Sequence, residues 1–288
     1  MGEPHPLDDS LDVLATTRRV VDLATAVRID TTAIDQLADR IARHDLTPAV
    51  WESALHWSSA PEATANYILI LDALNFCFWG EPRWVITYQG VRYNGYAALA
   101  AALTRALHDG RPLTDAGYLA RVDESELASI LAGEARIPLL PERVENLREI
   151  GRVLQERYNG QFGNLIRLSG GSAITLVRQV VDAFSSFRDV ATYAGAEVHL
   201  YKRAQILASD LYGAFAGRGP GAFNDLDQLT AFADYKVPQV LRELGVLRYT
   251  PELSALVDAQ VELAAGSPFE VEIRAATIWA VEDLRRAL

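Results

Sequence analysis

The segment Phe232-Ala233-Asp234-Tyr235-Lys236-Val237-Pro238-Gln239 sets a carboxylate, a phenol and an ammonium side by side in an otherwise apolar run. Two readings of the carboxylate follow. Pro238 suits the first turn of a helix, where its fixed φ is accommodated and its missing N–H is not needed. Asp234 can then be a helix cap, with Lys236 solvated. Alternatively Asp234 is a general base, or the anion that faces a developing cation.

A second set is spaced for one face of a helix. Asp72, Asn75, Phe76 and Trp79 fall at i, i+3, i+4 and i+7 of an apolar stretch predicted to be helical from Ala63 to Trp79. A carboxylate, an amide and two rings suit a flat heterocycle: the rings stack and the polar groups read an edge. The same pattern also describes a core helix whose Asp72 and Asn75 bond to neighbours. A third set, His199, Lys202 and Arg203, spans about one turn if helical and could hold one phosphate. Otherwise it is a solvated basic edge. Near the end of the chain, Glu272 and Arg274 read either as charged surface or, for Glu272, as the lining of a pocket for a cationic group.

Other familiar catalytic signatures do not occur: no P-loop, no G-x-G-x-x-G, no H-E-x-x-H and no G-x-S-x-G. Ser169-Gly170-Gly171-Ser172 precedes a predicted helix and could greet an anion, but a loop with a Ser cap explains it as well.

The elements that must hold these residues are mostly helical. Apolar periodicity predicts helices from Leu11 to Leu23, from Thr31 to Ile41, and from Pro61 to near Gly80. Others run from Tyr96 to His108, from Asp123 with a near capping box, and from Pro141 to Tyr158. Later helices are predicted over Asp225–Ala233, Pro238–Leu244, Pro251–Ala264 and Phe269–Arg286. Trp84–Tyr88 and Val91–Tyr93, joined by Gln89-Gly90, form the one convincing strand pair. No repeat and no composition shift divides the chain. The expected fold is therefore all-α, a single domain over residues 1–288 with a minor β-hairpin.

Bulk properties narrow the function. The chain has 288 residues, with 38 acidic and 27 basic side chains and a formal net charge of −11. An acidic surface repels a phosphate backbone, so nucleic acid is a disfavoured partner. Cys77 is the single cysteine, which rules out an internal disulfide and a cysteine-built zinc cage. Met1–Asp9 is acidic and has no apolar core of a signal peptide. The longest apolar run, Tyr67 to Trp79, is too short to cross a bilayer. These features point to a cytoplasmic protein with no membrane partner; they do not fix its oligomeric state.

Four motifs together resemble the queuosine salvage protein family. They are Leu71-Asp72-Ala73-Leu74-Asn75-Phe76-Cys77-Phe78-Trp79, Tyr201-Lys202-Arg203-Ala204-Gln205-Ile206, Phe232–Gln239, and Glu270-Val271-Glu272-Ile273-Arg274-Ala275 with Trp279-Ala280-Val281-Glu282. The resemblance runs from about Trp51 to the end; the stretch ahead of Trp51 is less diagnostic. It implies an all-helical fold similar to helix-hairpin-helix DNA glycosylases. It also implies hydrolysis of the N-glycosidic bond of queuosine 5′-phosphate, with release of the 7-deazaguanine base queuine and ribose 5-phosphate. No cofactor and no metal is expected; the partner is the small nucleotide itself.

In that setting Asp234 becomes the implied catalytic carboxylate. Lys202, His199, Arg203 and Lys236 become candidate phosphate or substrate contacts. Asp72, Asn75, Phe76 and Trp79 would meet the base, and Tyr235 and Glu272 would complete the binding set. A nucleic-acid base glycosylase and a non-catalytic binder of modified bases are the competing readings.

Overall fold

The computed structural model describes residues 10–44, 51 and 54–288. The acidic Met1–Asp9 stretch lies outside the described residues. The chain is mainly helical, with thirteen α-helices and three two-stranded antiparallel sheets among those residues. It forms two compact units, each assembled from separated stretches: Met1–Ala49, Asp189–Gln205 and Asp227–Leu288 in the first, Val50–Arg188 and Ile206–Leu226 in the second. The chain passes from one to the other repeatedly, which is why no single composition shift marks a boundary.

Chain order shows the alternation. The first unit opens with α1 (Val13–Leu23), β1 (Val27–Ile29) and α2 (Thr31–Ala42). The second follows with α3 (Pro61–Ala73), the hairpin β2 (Val85–Tyr88) and β3 (Val91–Asn94), and α4 (Gly95–His108). It continues through α5 (Ala116–Leu119), α6 (Glu124–Ile130), α7 (Leu140–Tyr158), α8 (Phe162–Leu168) and α9 (Ala173–Ala183). The hairpin β4 (Val190–Tyr193) and β5 (Ala196–His199) returns to the first unit, where α10 (Lys202–Ala214) begins. After a further stretch of the second unit come α11 (Val237–Glu243), β6 (Leu247–Tyr249), α12 (Pro251–Asp258) and α13 (Pro268–Ala287).

The first unit buries Ala26, Val27, Ile34, Leu241, Val246, Leu247, Leu253, Ala276 and Ala280 in one cluster. Ile34 and Ala38 are the buried positions of α2, a one-turn spacing that puts them on its inner face. Asp30 caps α2 by accepting from the Ala33 N–H at 3.0 Å. In the second unit, α3 is buried on every side from Thr64 to Ala73, as expected of a helix that is apolar all round. Gly151 of α7 is required by close packing: a Cβ there would lie 2.2 Å from the backbone nitrogen of Ala120.

Three expectations change. Strand pairing is not confined to β2–β3: β1 pairs with β6, Val27 opposite Tyr249, and β4 pairs with β5, Val190 opposite His199. The region expected to be helical over Asp225–Ala233 holds only a short 3₁₀ turn at Leu226–Gln228. There the backbone and hydroxyl of Thr230 bond to the buried Gln205 amide oxygen at 2.8 and 3.1 Å instead of to a helix. Finally, α3 stops at Ala73, six residues short of Trp79 (73 against 79).

Candidate active site

Asp234 sits in the irregular approach to α11. Its Oδ1 accepts from the Lys236 N–H at 2.7 Å and the Val237 N–H at 3.0 Å. Its Oδ2 receives no hydrogen bond among the described residues. One oxygen therefore fixes the side chain while the other is left open. Beside it, the Lys236 ammonium lies 5.6 Å from the centre of the Tyr235 ring.

Lys202 is the first residue of α10. It follows Tyr201, whose φ of 47° lies in the left-handed region that side chains disfavour. Asp189 holds this strained entry. Its carbonyl accepts from the Leu200 and Tyr201 N–H groups, both at 3.0 Å, and its Oδ2 accepts from the Lys202 N–H at 3.0 Å. Arg274 of α13 forks onto the same carboxylate at 2.9 and 2.5 Å. Its third contact, from Nε, reaches the carbonyl of Ala233 at 3.1 Å. Burial alone would raise the Asp189 pKa, but the Arg274 charge and the Lys202 amide outweigh it and hold the carboxyl below its usual range. Sequence reasoning missed Asp189 and left Arg274 as charged surface. Asp189 lies in none of the quoted motifs, Arg274 lies in one without a role there, and they meet across 85 positions.

His199 ends β5 rather than sharing a helix turn with Lys202 and Arg203. Its N–H donates to Thr16 Oγ1 at 3.0 Å, its Nε2 is 2.9 Å from Glu197, and its ring stacks on Tyr201 at 5.1 Å. Arg203, one residue into α10, is close enough for its charge to favour ionised Asp189.

In the second unit the expected single face of Asp72, Asn75, Phe76 and Trp79 does not form. Only Asp72 is helical; it is fully buried, with Asn75 8 % exposed and Trp79 44 % exposed. The break has an identifiable cause. The last carbonyls of a helix lack internal partners, and α7 supplies them here. Asn146 donates to the Ala73 carbonyl at 3.0 Å, and the buried Arg143 donates to those of Leu74, Phe76 and Cys77. The Arg143 guanidinium also lies 4.2 Å from the Phe76 ring centre, so Phe76 is a partner of a cation.

Near Asp72 a polar cluster went unread in the sequence. His56 Nε2 is 3.0 Å from the Tyr96 hydroxyl, which donates to Asp210 at 3.2 Å. Burial, with the charges of Asp210 and Asp72, pushes the Tyr96 phenol far above its usual pKa. Tyr67, buried beside the same carboxylates, is raised to about 12.

The Gly170-Gly171 loop resolves in favour of the plain cap. Ser172 Oγ accepts from the Thr175 N–H at 2.9 Å, and the Asp225 carboxylate takes the Ala173 N–H at 2.5 Å. An internal carboxylate already occupies that helix start.

Residues 55–288 match the sequence model of a family described as queuosine salvage protein. The chain belongs to the queuosine salvage protein family. A relative from Sphaerobacter thermophilus is 61 % identical over 280 residues, covering 97 % of this chain and 87 % of that protein. One from Mus musculus is 40 % identical, covering 83 % of this chain and 72 % of the relative; one from Schizosaccharomyces pombe is 36 % identical, covering 82 % and 73 %. All three carry the name queuosine 5′-phosphate N-glycosylase/hydrolase. The match to the queuosine salvage family spans every candidate site residue named from the sequence, from Asp72 to Glu272.

Within that family stretch, Glu272 takes a part other than the expected one. It is 2 % exposed. Its oxygens accept from the N–H groups of Thr25, Ala26 and Val27 at 3.2, 2.7 and 3.0 Å, and from the Tyr193 hydroxyl at 2.7 Å. The carboxylate pins the entry to β1 and has its lone pairs committed there, so it is an internal anchor rather than the lining of a pocket.

Proposed function

We propose that this chain is a queuosine 5′-phosphate N-glycosylase/hydrolase. The observation that carries the reading is the 61 % identity, over 97 % of the chain, to a relative of that name. The geometry of Asp234 supplies a chemical reason. Breaking the N-glycosidic bond builds positive charge at C1′ of the ribose. A fixed carboxylate with an open oxygen stabilises that charge and can take a proton from the attacking water. The water oxygen bonds to C1′, the C1′–N bond breaks, and the water proton ends on the departing base. A 7-deazapurine has no N7 to protonate, so its departure is eased at the pyrimidine edge, a part suited to Asn75 or Asp72.

The remaining roles belong to the same reading. Lys202, Arg203, His199 and Lys236 are the phosphate candidates; Phe76, Trp79 and Tyr235 are the aromatic contacts. Lys202 opens α10 and Asp234 holds the first N–H of α11. The family resemblance implies likeness to helix-hairpin-helix glycosylases, in which a hairpin lysine, where present, is followed by an Asp that opens a further helix, the order of Lys202 and Asp234 here; both units are discontinuous in sequence, which favours one domain over residues 1–288. The net charge of −11 favours a free nucleotide over nucleic acid, and the lone cysteine suits a cytoplasmic setting.

Incubating the purified protein with queuosine 5′-phosphate tests the reading. Stoichiometric free queuine and ribose 5-phosphate are expected. Binding without release would leave a non-catalytic carrier; release from an oligonucleotide but not from the nucleotide would favour the nucleic-acid glycosylase.

A further inference from the structure

We infer that Asp189 and Arg274 are positioning residues: together they hold the start of α10 and the Asp234 segment at a fixed spacing. The inference rests on the glycosylase reading above and adds to it two residues that would act through Lys202 and Asp234.

Three observations carry it. First, Arg274 is trifunctional. Two of its donors close a fork on Asp189 and Nε reaches the carbonyl of Ala233, the residue before Asp234. A planar guanidinium delivers these bonds in one rigid geometry; a lysine ammonium is a point charge that cannot reproduce the fork. Second, Asp189 is spent on the other segment. Its carbonyl and carboxylate together take three consecutive N–H groups, those of Leu200, Tyr201 and Lys202. These bonds hold Tyr201 at a positive φ of 47° and set the direction in which α10 leaves, with Lys202 at its head. Third, the pair is largely shielded: 17 % of the Arg274 side chain and 23 % of Asp189 are exposed. Removing either partner leaves the other charge shielded and without its closest counter-charge. Glu270 lies 3.3 Å from Arg274 as a secondary contact.

The two segments joined this way carry Lys202 and Asp234. Asp234 is already fixed in its rotation by its own downstream N–H groups, so the missing constraint is where its backbone sits. Arg274 supplies it through Ala233, itself 2 % exposed. Misplacement by an ångström can cost about 10²-fold in rate.

The decisive experiment uses the full chain and queuosine 5′-phosphate, with kcat and KM normalised to folded protein measured by circular dichroism. Arg274→Lys keeps the positive charge and loses the fork. It should lower kcat on the order of 10²-fold with KM changed less than about threefold. Wild-type kcat in folded Arg274→Lys overturns the inference, as does a defect that appears in KM alone. If Arg274→Lys does not fold, Asp189→Asn answers the same question: its amide oxygen can still accept from Lys202, but the ionic fork is gone. It should show the same loss in kcat, and a wild-type kcat there overturns the inference equally. Should neither variant fold at 25 °C, assay at 10 °C in glycerol applies the same criterion, and failure of both to fold under those conditions also overturns it, since the pair is then a folding requirement. A wild-type protein that releases no base would count against the glycosylase reading, whereas active wild type with indifferent variants would count against the positioning role alone.

Discussion

Asp234 Oδ1 lies 3.0 Å from the backbone nitrogen of Val237, the first residue of α11. The bond makes the carboxylate a helix cap in function, though it sits outside the cap position itself. Capping and the proposed catalysis are compatible because they would use different oxygens. A cap also orients the group, because two backbone N–H donors hold one of its oxygens in place.

Asp234→Asn separates the two roles. Its amide oxygen can keep accepting from Lys236 and Val237, but it neither takes a proton nor balances a cation. We expect kcat to fall by ~10²–10⁴, the contribution of one proton-transfer group, with the thermal midpoint almost unchanged. Asp234→Ala should lose the same activity and in addition about 1 kcal/mol of cap stability. Thermal unfolding beside nucleotide turnover checks both; full activity in folded Asp234→Asn rejects the assignment.

Why part of this was legible in the sequence follows from the range of the interactions. The β2–β3 hairpin was readable because it is local: Gln89 and Gly90 both take positive φ, 49° and 80°, as a tight two-residue turn demands. The β4–β5 hairpin has the same turn geometry at Ala194-Gly195, 47° and 76°, but an Ala there is a weak signal. β1 and β6 are far apart in the chain, and no window of sequence joins Val27 to Tyr249. The end of α3 was unreadable for the same reason, since it depends on Arg143, which lies 69 positions beyond the Leu74 carbonyl it captures. In the candidate site, Pro238 and its neighbours marked Asp234 as a cap or a base, and only the family resemblance favoured the base. Asp189 and Arg274 did not, because their value lies in each other.

Lys202 gives a second prediction. If the head of α10 meets the phosphate, queuosine 5′-phosphate should be hydrolysed far better than the nucleoside. A charge-assisted hydrogen bond contributes about 1.5–3 kcal/mol, so Lys202→Ala should cost roughly 10–100-fold in kcat/KM for the nucleotide and little for the nucleoside. Parallel steady-state assays on both substrates decide it; an equal loss on both removes the phosphate role.

Glu272 should behave in the opposite way. Glu272→Ala strands three backbone N–H groups, two of them in the buried residues Ala26 and Val27, and leaves the Tyr193 hydroxyl without its acceptor. An unsatisfied buried donor costs about 1–3 kcal/mol, so urea unfolding should show a loss of about 3 kcal/mol or more. The folded fraction should keep wild-type kcat and KM. A selective rise in KM at unchanged stability would return Glu272 to the binding set.

Acid should weaken the Asp189–Arg274 pair in a defined direction. Asp189 has its carboxyl pKa lowered from 3.8 in the folded chain, where burial opposes the shift and Arg274 drives it. The unfolded chain therefore takes up this proton at a higher pH than the folded chain does. Its contribution to stability is complete well above the unfolded value, declines as pH falls below that value, and is exhausted once pH has passed the folded one. Asp189→Asn has no such proton to bind. Urea midpoints of wild type and variant, measured from pH 6 down to pH 3, should accordingly draw together as the pH drops below about 4. Glu149 and Glu282, whose pKa values are also lowered, are present in both proteins and cancel from the comparison. A stability gap that stays constant across that range would mean the fork does not depend on the charge of Asp189.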